Sequence, residues 1–225
     1  MGFDLDSDLD TCRVAVFDCD GVLLDSNPVK LAAFRVALAD EDPARVEVLL
    51  GEHLRTGGVS RFAKLERFYR EIQPVEDPEI AIAVALRRFS DAAREGLRTC
   101  SAIAGVEALL SRLSGQGTAI HVISGGEQDE VREALLGRGW GGYFAGIHGS
   151  PTRKRDHMAA LRERGSLPIG ALAFGDAELD VRLAEEFGLR FVFVAGASDW
   201  PAGRESAAAR GHAVIEDFTS ASGPG

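Results

Sequence analysis

The sequence lacks the features that would place it in a membrane, on nucleic acid or among disulfide-rich proteins. Its three cysteines are an odd number without a CxxC pair, which argues against a disulfide framework or a zinc knuckle. No apolar run approaches membrane-spanning length, and the five histidines show no HExxH spacing. A net charge of −10 disfavours nucleic acid and anionic membranes as partners. These absences favour a soluble protein in a reducing cytoplasm.

Short apolar runs separated by helical patterns are what the sequence does contain. They occupy residues 14–17, 119–123, 169–174 and 191–194, with a weaker run at 213–215. Runs without polar alternation are typical of parallel strands that helices cover on both faces. The sequence therefore predicts an α/β fold with a Rossmann-like parallel sheet.

A helical insert is predicted after the first strand, because residues 28–96 contain no convincing strand. Asn27-Pro28, Asp42-Pro43 and Asp77-Pro78 each suit an N-cap followed by proline in the first helical turn. We therefore divide the chain into a core of residues 11–27 and 97–219 and an insert of residues 28–96. Residues 1–10 and 220–225 are expected to be flexible tails, and the acidic start resembles no signal peptide.

Polar residues follow three of the predicted strands: Asp18, Ser124 and Asp176. In an open parallel sheet, ligands bind beyond the carboxyl ends of the strands, so these side chains mark a candidate site. Asp18 and Asp20 would repel each other at close range, and a hard cation such as Mg²⁺ would remove that cost. The simpler alternative is that both aspartates cap a turn before Gly21.

Three further features have two interpretations each. Ser124, with the amides near Gly125, forms either an anion site at a helix N-terminus or an ordinary N-cap. Lys154 is either a functional cation or a solvated charge, and its neighbours Arg153 and Arg155 could be mistaken for it. The acids of GDAELD either share a functional helix face or favour the helix dipole.

Together these features resemble the haloacid dehalogenase superfamily over nearly the whole chain. The match consists of DCDGV at 18–22 as the first motif, Ser124 as the second, Lys154 as the third, and Asp176 with Asp180 as the fourth. The insert at 28–96 is similar to the type 1 helical cap of that family. One departure is the glycine after Ser124, where the family often has Asn or Thr.

The resemblance implies a Mg²⁺-dependent phosphomonoester hydrolase that works through an aspartyl-phosphate. Asp18 would be the nucleophile and Asp20 the general acid and base. The implied phosphate-binding residues are Ser124, Gly125 and Lys154. The implied metal ligands are Asp18, Asp20, Asp176 and Asp180.

The substrate implied by the resemblance is a small phosphorylated metabolite, and the cap sequence RTGGVSRFAKLERF is similar to caps associated with sugar-phosphate pathways. Arg61 and Lys64, three residues apart, are the candidate specificity residues, although the same segment also fits an ordinary amphipathic helix. The alternatives are a sugar phosphomutase of the β-phosphoglucomutase type, a phosphoglycolate phosphatase-like enzyme, or a catalytically silent binding protein. Either a monomer or a homodimer is compatible with the sequence.

Overall fold

A computed structural model of the protein describes residues 5–220. Its helices are α1 (Leu5–Thr11), α2 (Asn27–Ala37), α3 (Pro43–Arg55), α4 (Arg61–Arg67), α5 (Pro78–Thr99), α6 (Val106–Gly115), α7 (Gln128–Leu136), α8 (Lys154–Glu163), α9 (Glu178–Glu186) and α10 (Gly203–Ala209). A π-helical turn at Phe68–Ile72 continues α4, and a 3₁₀ turn lies at Trp140–Tyr143. The strands are β1 (Val14–Phe17), β2 (Ala119–Glu127), β3 (Phe144–Ser150), β4 (Leu172–Gly175), β5 (Arg190–Val194) and β6 (Ala213–Ile215).

The six strands form one parallel sheet in the order β3-β2-β1-β4-β5-β6. This confirms the predicted α/β class with a Rossmann-like sheet. Strand order reverses beside β1, because β2 lies on one side of it and β4 on the other. A crevice forms beyond the strand ends where the order reverses, so the fold itself locates the candidate site.

The central strand β1 is buried on both faces. Ala15 and Phe17 pack into the apolar layer on one side of the sheet, and Val16 packs into the layer on the other side. The ring of Phe17 stacks on that of Phe174 in β4, with 4.5 Å between the centroids. Burial on both faces explains why the run VAVF shows no polar alternation.

The strands differ from the sequence prediction at three places. β3 has no counterpart among the predicted runs, because FAGIHGS at this sheet edge mixes apolar residues with glycine, histidine and serine, and most of it is only partly buried. β2 extends beyond residue 123 and includes Ser124. Ile169 lies outside β4 and is 79% exposed, so the run at 169–174 was placed too early.

The expected tail at residues 1–10 is wrong for its second half, which forms helix α1. Leu9 is fully buried, and its carbonyl accepts a hydrogen bond of 2.6 Å from Nε2 of Gln116. The apolar side chain of Leu9 therefore ties the segment to the core. Residues 1–4 and 221–225, where the remaining tail predictions fall, lie outside the described residues.

Helices α2 to α5 lie between β1 and β2 in the chain, where the helical insert was predicted. Phe34 of α2 and Phe89 of α5 are buried and meet edge to face, with 4.7 Å between the ring centroids. Asp42 caps α3 by accepting a hydrogen bond from the amide of Ala44. Asp77 precedes α5 without a side-chain cap. Across residues 5–220, we find no helix with the length and apolar character needed to cross a membrane.

Candidate active site

Asp18 and Asp176 lie side by side at the point where strand order reverses. Asp18 directly follows β1, and Asp176 directly follows β4, which is its neighbour in the sheet. The amide of Asp18 donates a hydrogen bond of 2.9 Å to the carbonyl of Phe174. The pairing of β1 with β4 therefore brings together two aspartates that are 158 residues apart in the chain.

A cluster of three carboxylates forms there. Asp18, Asp176 and Asp180 each offer one oxygen, and these oxygens all lie within 4.8 Å of one another. Burial raises the pKa of Asp18 to about 7, although the charge of Lys154 opposes the rise. Burial, with the like charges of Asp18 and Asp180, raises the pKa of Asp176 well above its ordinary value. The cluster is therefore short of positive charge.

The donor set fits a hard divalent cation such as Mg²⁺, which prefers carboxylate oxygens. The backbone leaves room for this arrangement at Gly21, which has a φ of 73°. A Cβ atom on Gly21 would lie 2.2 Å from Oδ2 of Asp176, so a side chain there would displace that carboxylate. This explains in steric terms why a glycine follows the paired aspartates.

Asp20 lies outside the cluster of three among the described residues, although it was expected to share the metal. Its carboxylate accepts hydrogen bonds from Ser26 Oγ at 2.6 Å, from Ser124 Oγ at 3.3 Å and from the ammonium of Lys30. Burial alone would raise the pKa of Asp20, but Lys30, with the hydrogen bond from Ser26 and the charge of Lys154, outweighs burial and lowers the pKa. The two aspartates of the first motif therefore have different surroundings.

Lys154 is the first residue of α8 and is buried within the site. Its Nζ lies 2.9 Å from Oδ1 of Asp18 and 2.7 Å from Oδ1 of Asp180. Burial lowers the pKa of Lys154, but the two carboxylates outweigh burial and raise it above the ordinary value. Arg153 and Arg155 are exposed, so Lys154 is the cation of this segment that reaches the cluster.

Ser124 is fully buried inside β2 and is not the N-cap of α7. That cap is Glu127, whose side chain accepts from the first free amides of the helix. Ser124 Oγ instead accepts a hydrogen bond of 2.9 Å from the amide of Gly126 and contacts Asp20. Its hydroxyl therefore belongs to the site.

Gly125 lies against the loop between α3 and α4. A Cβ atom on Gly125 would lie 2.3 Å from the carbonyl oxygen of Gly58. A Cβ atom on Gly57 would lie 2.8 Å from the Cβ of Ala177, which follows Asp176. The glycine that departs from the family pattern thus allows the insert loop to approach the strand ends closely.

Two residues of the site, Asn27 and Lys30, belong to none of the four sequence motifs. Asn27 Nδ2 donates to Oδ2 of Asp176 and to the carbonyl of Ala197, both at 2.9 Å. The rarity of lysine in the sequence could have indicated Lys30 as a site residue. The chain has 22 arginines but three lysines, which are Lys30, Lys64 and Lys154. All three have little solvent exposure and lie at or beside the site.

Arg61 lines the cleft beside the carboxylates, but it is already paired. Its Nη1 and Nη2 lie 2.6 Å and 2.9 Å from the two carboxylate oxygens of Glu130, which belongs to α7. Its Nη2 also donates to Ser90 Oγ at 3.0 Å, and the guanidinium lies 4.8 Å from the ring centroid of Phe89. Glu130 was not singled out by the sequence, because nothing in EVREALL distinguishes it from a surface acid.

Lys64 is buried behind His53, which lines the cleft. Lys64 Nζ lies 2.7 Å from Nδ1 of His53. Burial, with the nearby charge of Lys30, lowers the pKa of Lys64 to about 7. Burial, with the charge of Lys64, lowers the pKa of His53 to about 3, so His53 is neutral at physiological pH. Arg61 thus reaches the cleft directly, and Lys64 contacts it through His53.

The cleft that contains Asp18, Asp20 and Asp176 lies between the strand ends and the helical insert. It encloses ≈ 790 Å³, including the space open to solvent. Its wall away from the carboxylates is largely apolar and contains Phe34, Leu54, Phe89, Leu97 and Val131. The arrangement combines a charged end, suited to an anionic group and a cation, with an apolar body.

A parallel sheet with a carboxylate cluster at its switch point defines an α/β protein with a candidate cation site, and comparison with known proteins identifies the family. The family model for haloacid dehalogenase-like hydrolases matches residues 15–194. The chain therefore belongs to the haloacid dehalogenase-like hydrolases, and it is an enzyme of that class. No protein of curated function matches it significantly.

Solved structures share the fold at low sequence identity. A predicted phosphoglycolate phosphatase from Haemophilus somnus has a TM-score of 0.74 and 19% identity, over 93% of this chain and 96% of that one. A predicted phosphatase from Clostridium acetobutylicum has a TM-score of 0.71 and 21% identity, over 94% and 96%. The β-phosphoglucomutase of Clostridium difficile has a TM-score of 0.69 and 16% identity, over 93% of each chain.

Proposed function

We propose that the protein is a Mg²⁺-dependent phosphomonoesterase that forms an aspartyl-phosphate on Asp18. The observation that carries this proposal is the different placement of the two aspartates. Asp18 lies in the carboxylate cluster with Lys154, whereas Asp20 stands apart with its own donors, Lys30 and Ser26. A nucleophile and a proton-transfer group need this kind of separation.

In the first half of the reaction, a carboxylate oxygen of Asp18 attacks phosphorus and the bond from phosphorus to the ester oxygen breaks. Asp20 gives a proton to the departing alkoxide. Lys154, the hydroxyl of Ser124 and the amide of Gly125 stabilise the negative charge on the phosphoryl oxygens. Positioning and charge neutralisation are the main demands of phosphoryl transfer.

In the second half, water attacks phosphorus, Asp20 takes a proton from that water, and the bond from phosphorus to Asp18 breaks. Asp20 gave up its proton in the first half, so it is ionised at this point and can act as the base. Asp18, Asp176 and Asp180 would hold the Mg²⁺ ion. When bound, the ion offsets the repulsion among these carboxylates and the negative charge of the phosphoryl group.

The substrate we propose is a small phosphorylated metabolite, with a sugar phosphate as the first choice. The helical insert comes close to the strand ends at Gly57 and Gly58, and its Arg61 lines the cleft. The insert can therefore contact the part of a substrate that lies beyond the phosphate. We propose that the insert is a cap that selects the leaving group, with Arg61 acting directly and Lys64 acting through His53. Closure of such a cap also excludes water.

The direct test is hydrolysis of p-nitrophenyl phosphate with Mg²⁺ and after EDTA treatment. We expect turnover that EDTA abolishes and added Mg²⁺ restores, and turnover without metal would contradict the proposal. A phosphomutase activity is the second candidate, because the β-phosphoglucomutase of Clostridium difficile shares the fold. Release of phosphate from hexose phosphates supports the phosphatase, and formation of an isomer supports the mutase.

A further inference from the structure

The pairing of Arg61 with Glu130 bears on which phosphate esters the cleft can accept. Both oxygens of Glu130 are engaged by the guanidinium, at 2.6 Å and 2.9 Å, and the two side chains are each 7% exposed. A two-point ion pair of this kind, shielded from water, is much stronger than a surface pair. The charge of the guanidinium is consequently compensated by Glu130, and its Nε, which has no hydrogen-bond partner among the described residues, is buried, so Arg61 offers no free charge to an anionic group of a substrate.

The other positive groups of the cleft wall are engaged or uncharged as well. Lys30 is paired with Asp20, and His53 is neutral because burial and Lys64 lower its pKa to about 3. Two acidic side chains, Glu127 and Asp199, also line the cleft. Among the described residues of this wall, no cation is therefore available for a second anion.

We propose that Glu130 is a specificity-determining residue that restricts the site to phosphate monoesters with an uncharged leaving group. This inference rests on the proposed phosphatase function and narrows its substrate class. By occupying Arg61, Glu130 excludes esters that carry a carboxylate or a second phosphate. Phosphoglycolate and sugar bisphosphates are thus poor substrates, whereas a neutral sugar phosphate is accepted.

The physical reason is the cost of desolvating an anion without a partner. A second anionic group that entered the cleft would lose water against Phe34, Phe89 and Leu97. It would gain no free cation in return, and burying an unpaired charge is expensive. A hydroxyl-bearing leaving group gives up much less solvation on entering the same space.

A matched pair of substrates tests the proposal. Phosphoglycolate and 2-hydroxyethyl phosphate differ in one feature, since the first has a carboxylate where the second has a hydroxymethyl group. For the wild-type enzyme, we expect kcat/KM for 2-hydroxyethyl phosphate to exceed kcat/KM for phosphoglycolate by about tenfold or more. A penalty of this size is typical when a charged group is bound without a partner of opposite charge. Equal values, or a preference for phosphoglycolate, would overturn the proposal.

Glu130→Gln gives the second arm, because it keeps the shape of the side chain while releasing the charge of Arg61. We expect the preference for the neutral ester to shrink by about tenfold, as a freed cation now attracts the carboxylate. The double variant Arg61→Gln/Glu130→Gln should lose this gain. Glu133→Gln on the same helix is the matched control, because Glu133 is exposed and pairs weakly with Arg94 at 3.7 Å. The control should keep the wild-type ratio.

Failure of the phosphatase proposal and failure of the specificity proposal would give different results. Absence of turnover on p-nitrophenyl phosphate and on both esters would reject the proposed phosphatase function. The affinities of the two esters for the wild-type protein, measured by calorimetry, would still decide the specificity proposal. Thermal unfolding shows whether Glu130→Gln remains folded, since removal of one partner of a buried pair is destabilising. If it does not fold, the wild-type ratio decides alone.

Discussion

Nζ of Lys154 lies 2.9 Å from Oδ1 of Asp18 in a site that excludes most solvent. The contact places a fixed positive charge beside the carboxylate that we propose as the nucleophile. It also joins the start of α8 to the end of β1, which the sheet alone would leave separate. The lysine therefore both orients Asp18 and compensates part of the charge of the cluster.

Asp18→Asn should abolish turnover, because an amide is a poor nucleophile. The fold should remain intact, since the substitution removes one of three crowded negative charges and keeps the side-chain shape. Turnover of p-nitrophenyl phosphate and the thermal unfolding midpoint are the measurements. Asp25→Asn is the matched control, because Asp25 is an exposed carboxylate of the same segment and should keep full activity. Full activity of Asp18→Asn in a clean preparation would refute the assignment.

Lys30→Gln should move the acid side of the pH-rate profile to higher pH. Burial raises the pKa of Asp20, and Lys30 is the main group that opposes burial, ahead of Ser26 and Lys154, so loss of Lys30 raises the pKa. The water-activating step needs ionised Asp20, so activity is then lost at a higher pH as the solution is acidified. Lys30→Arg keeps the charge and should resemble the wild type. An unchanged profile for Lys30→Gln would show that Lys30 does not set this pKa.

Gly125→Ala should impair catalysis without unfolding the core. The added Cβ would lie 2.3 Å from the carbonyl oxygen of Gly58, so the loop of the insert must move away from the strand ends. We expect kcat/KM to fall by about tenfold or more, the scale at which small displacements affect catalytic geometry. Gly142→Ala is the control, because a Cβ there meets no atom within 4 Å. A fully active Gly125→Ala enzyme would mean that the close approach of this loop is not needed.

Lys64→Met should stabilise the protein most at low pH. Burial and Lys30 lower the pKa of Lys64 from 10.5 to about 7, so between these values the unfolded chain holds a proton that the folded chain has released. The free energy of unfolding of the wild type therefore rises as the pH rises from about 7 to 10.5. Below pH 7 the folded protein carries the full cost of burying the charged ammonium. At about 1.4 kcal/mol per pKa unit, the advantage of Lys64→Met should fade by several kcal/mol as the pH rises from 7 to 10.5.

Urea unfolding at several pH values measures this difference, and ¹⁵N-lysine NMR can measure the pKa directly because the chain has three lysines. Arg45→Met, which removes an exposed cation of α3, should show no comparable pH dependence. A pKa of Lys64 near 10.5 would contradict the prediction.

Sequence pattern was enough to assign the fold class and the motif residues at the strand ends. Fully buried parallel strands leave a local signature, since a strand such as β1 must be apolar on both faces. The carboxyl ends of such strands meet at one edge, so Asp18, Ser124 and Asp176 could be assigned to one site before any contact was known. The edge strand β3 could not be predicted in this way, because a partly buried strand need not be apolar on both faces.

The pairing of charges in the site could be read only from the packing of the folded chain. Asn27 contacts Asp176 across 149 residues of sequence, and Arg61 contacts Glu130 across 69. Such pairs follow no period and no local propensity, because they arise where independently formed elements pack. Local sequence pattern encodes burial of a strand or a helix face, whereas the partner of a buried charge depends on how α4, α5 and α7 come together.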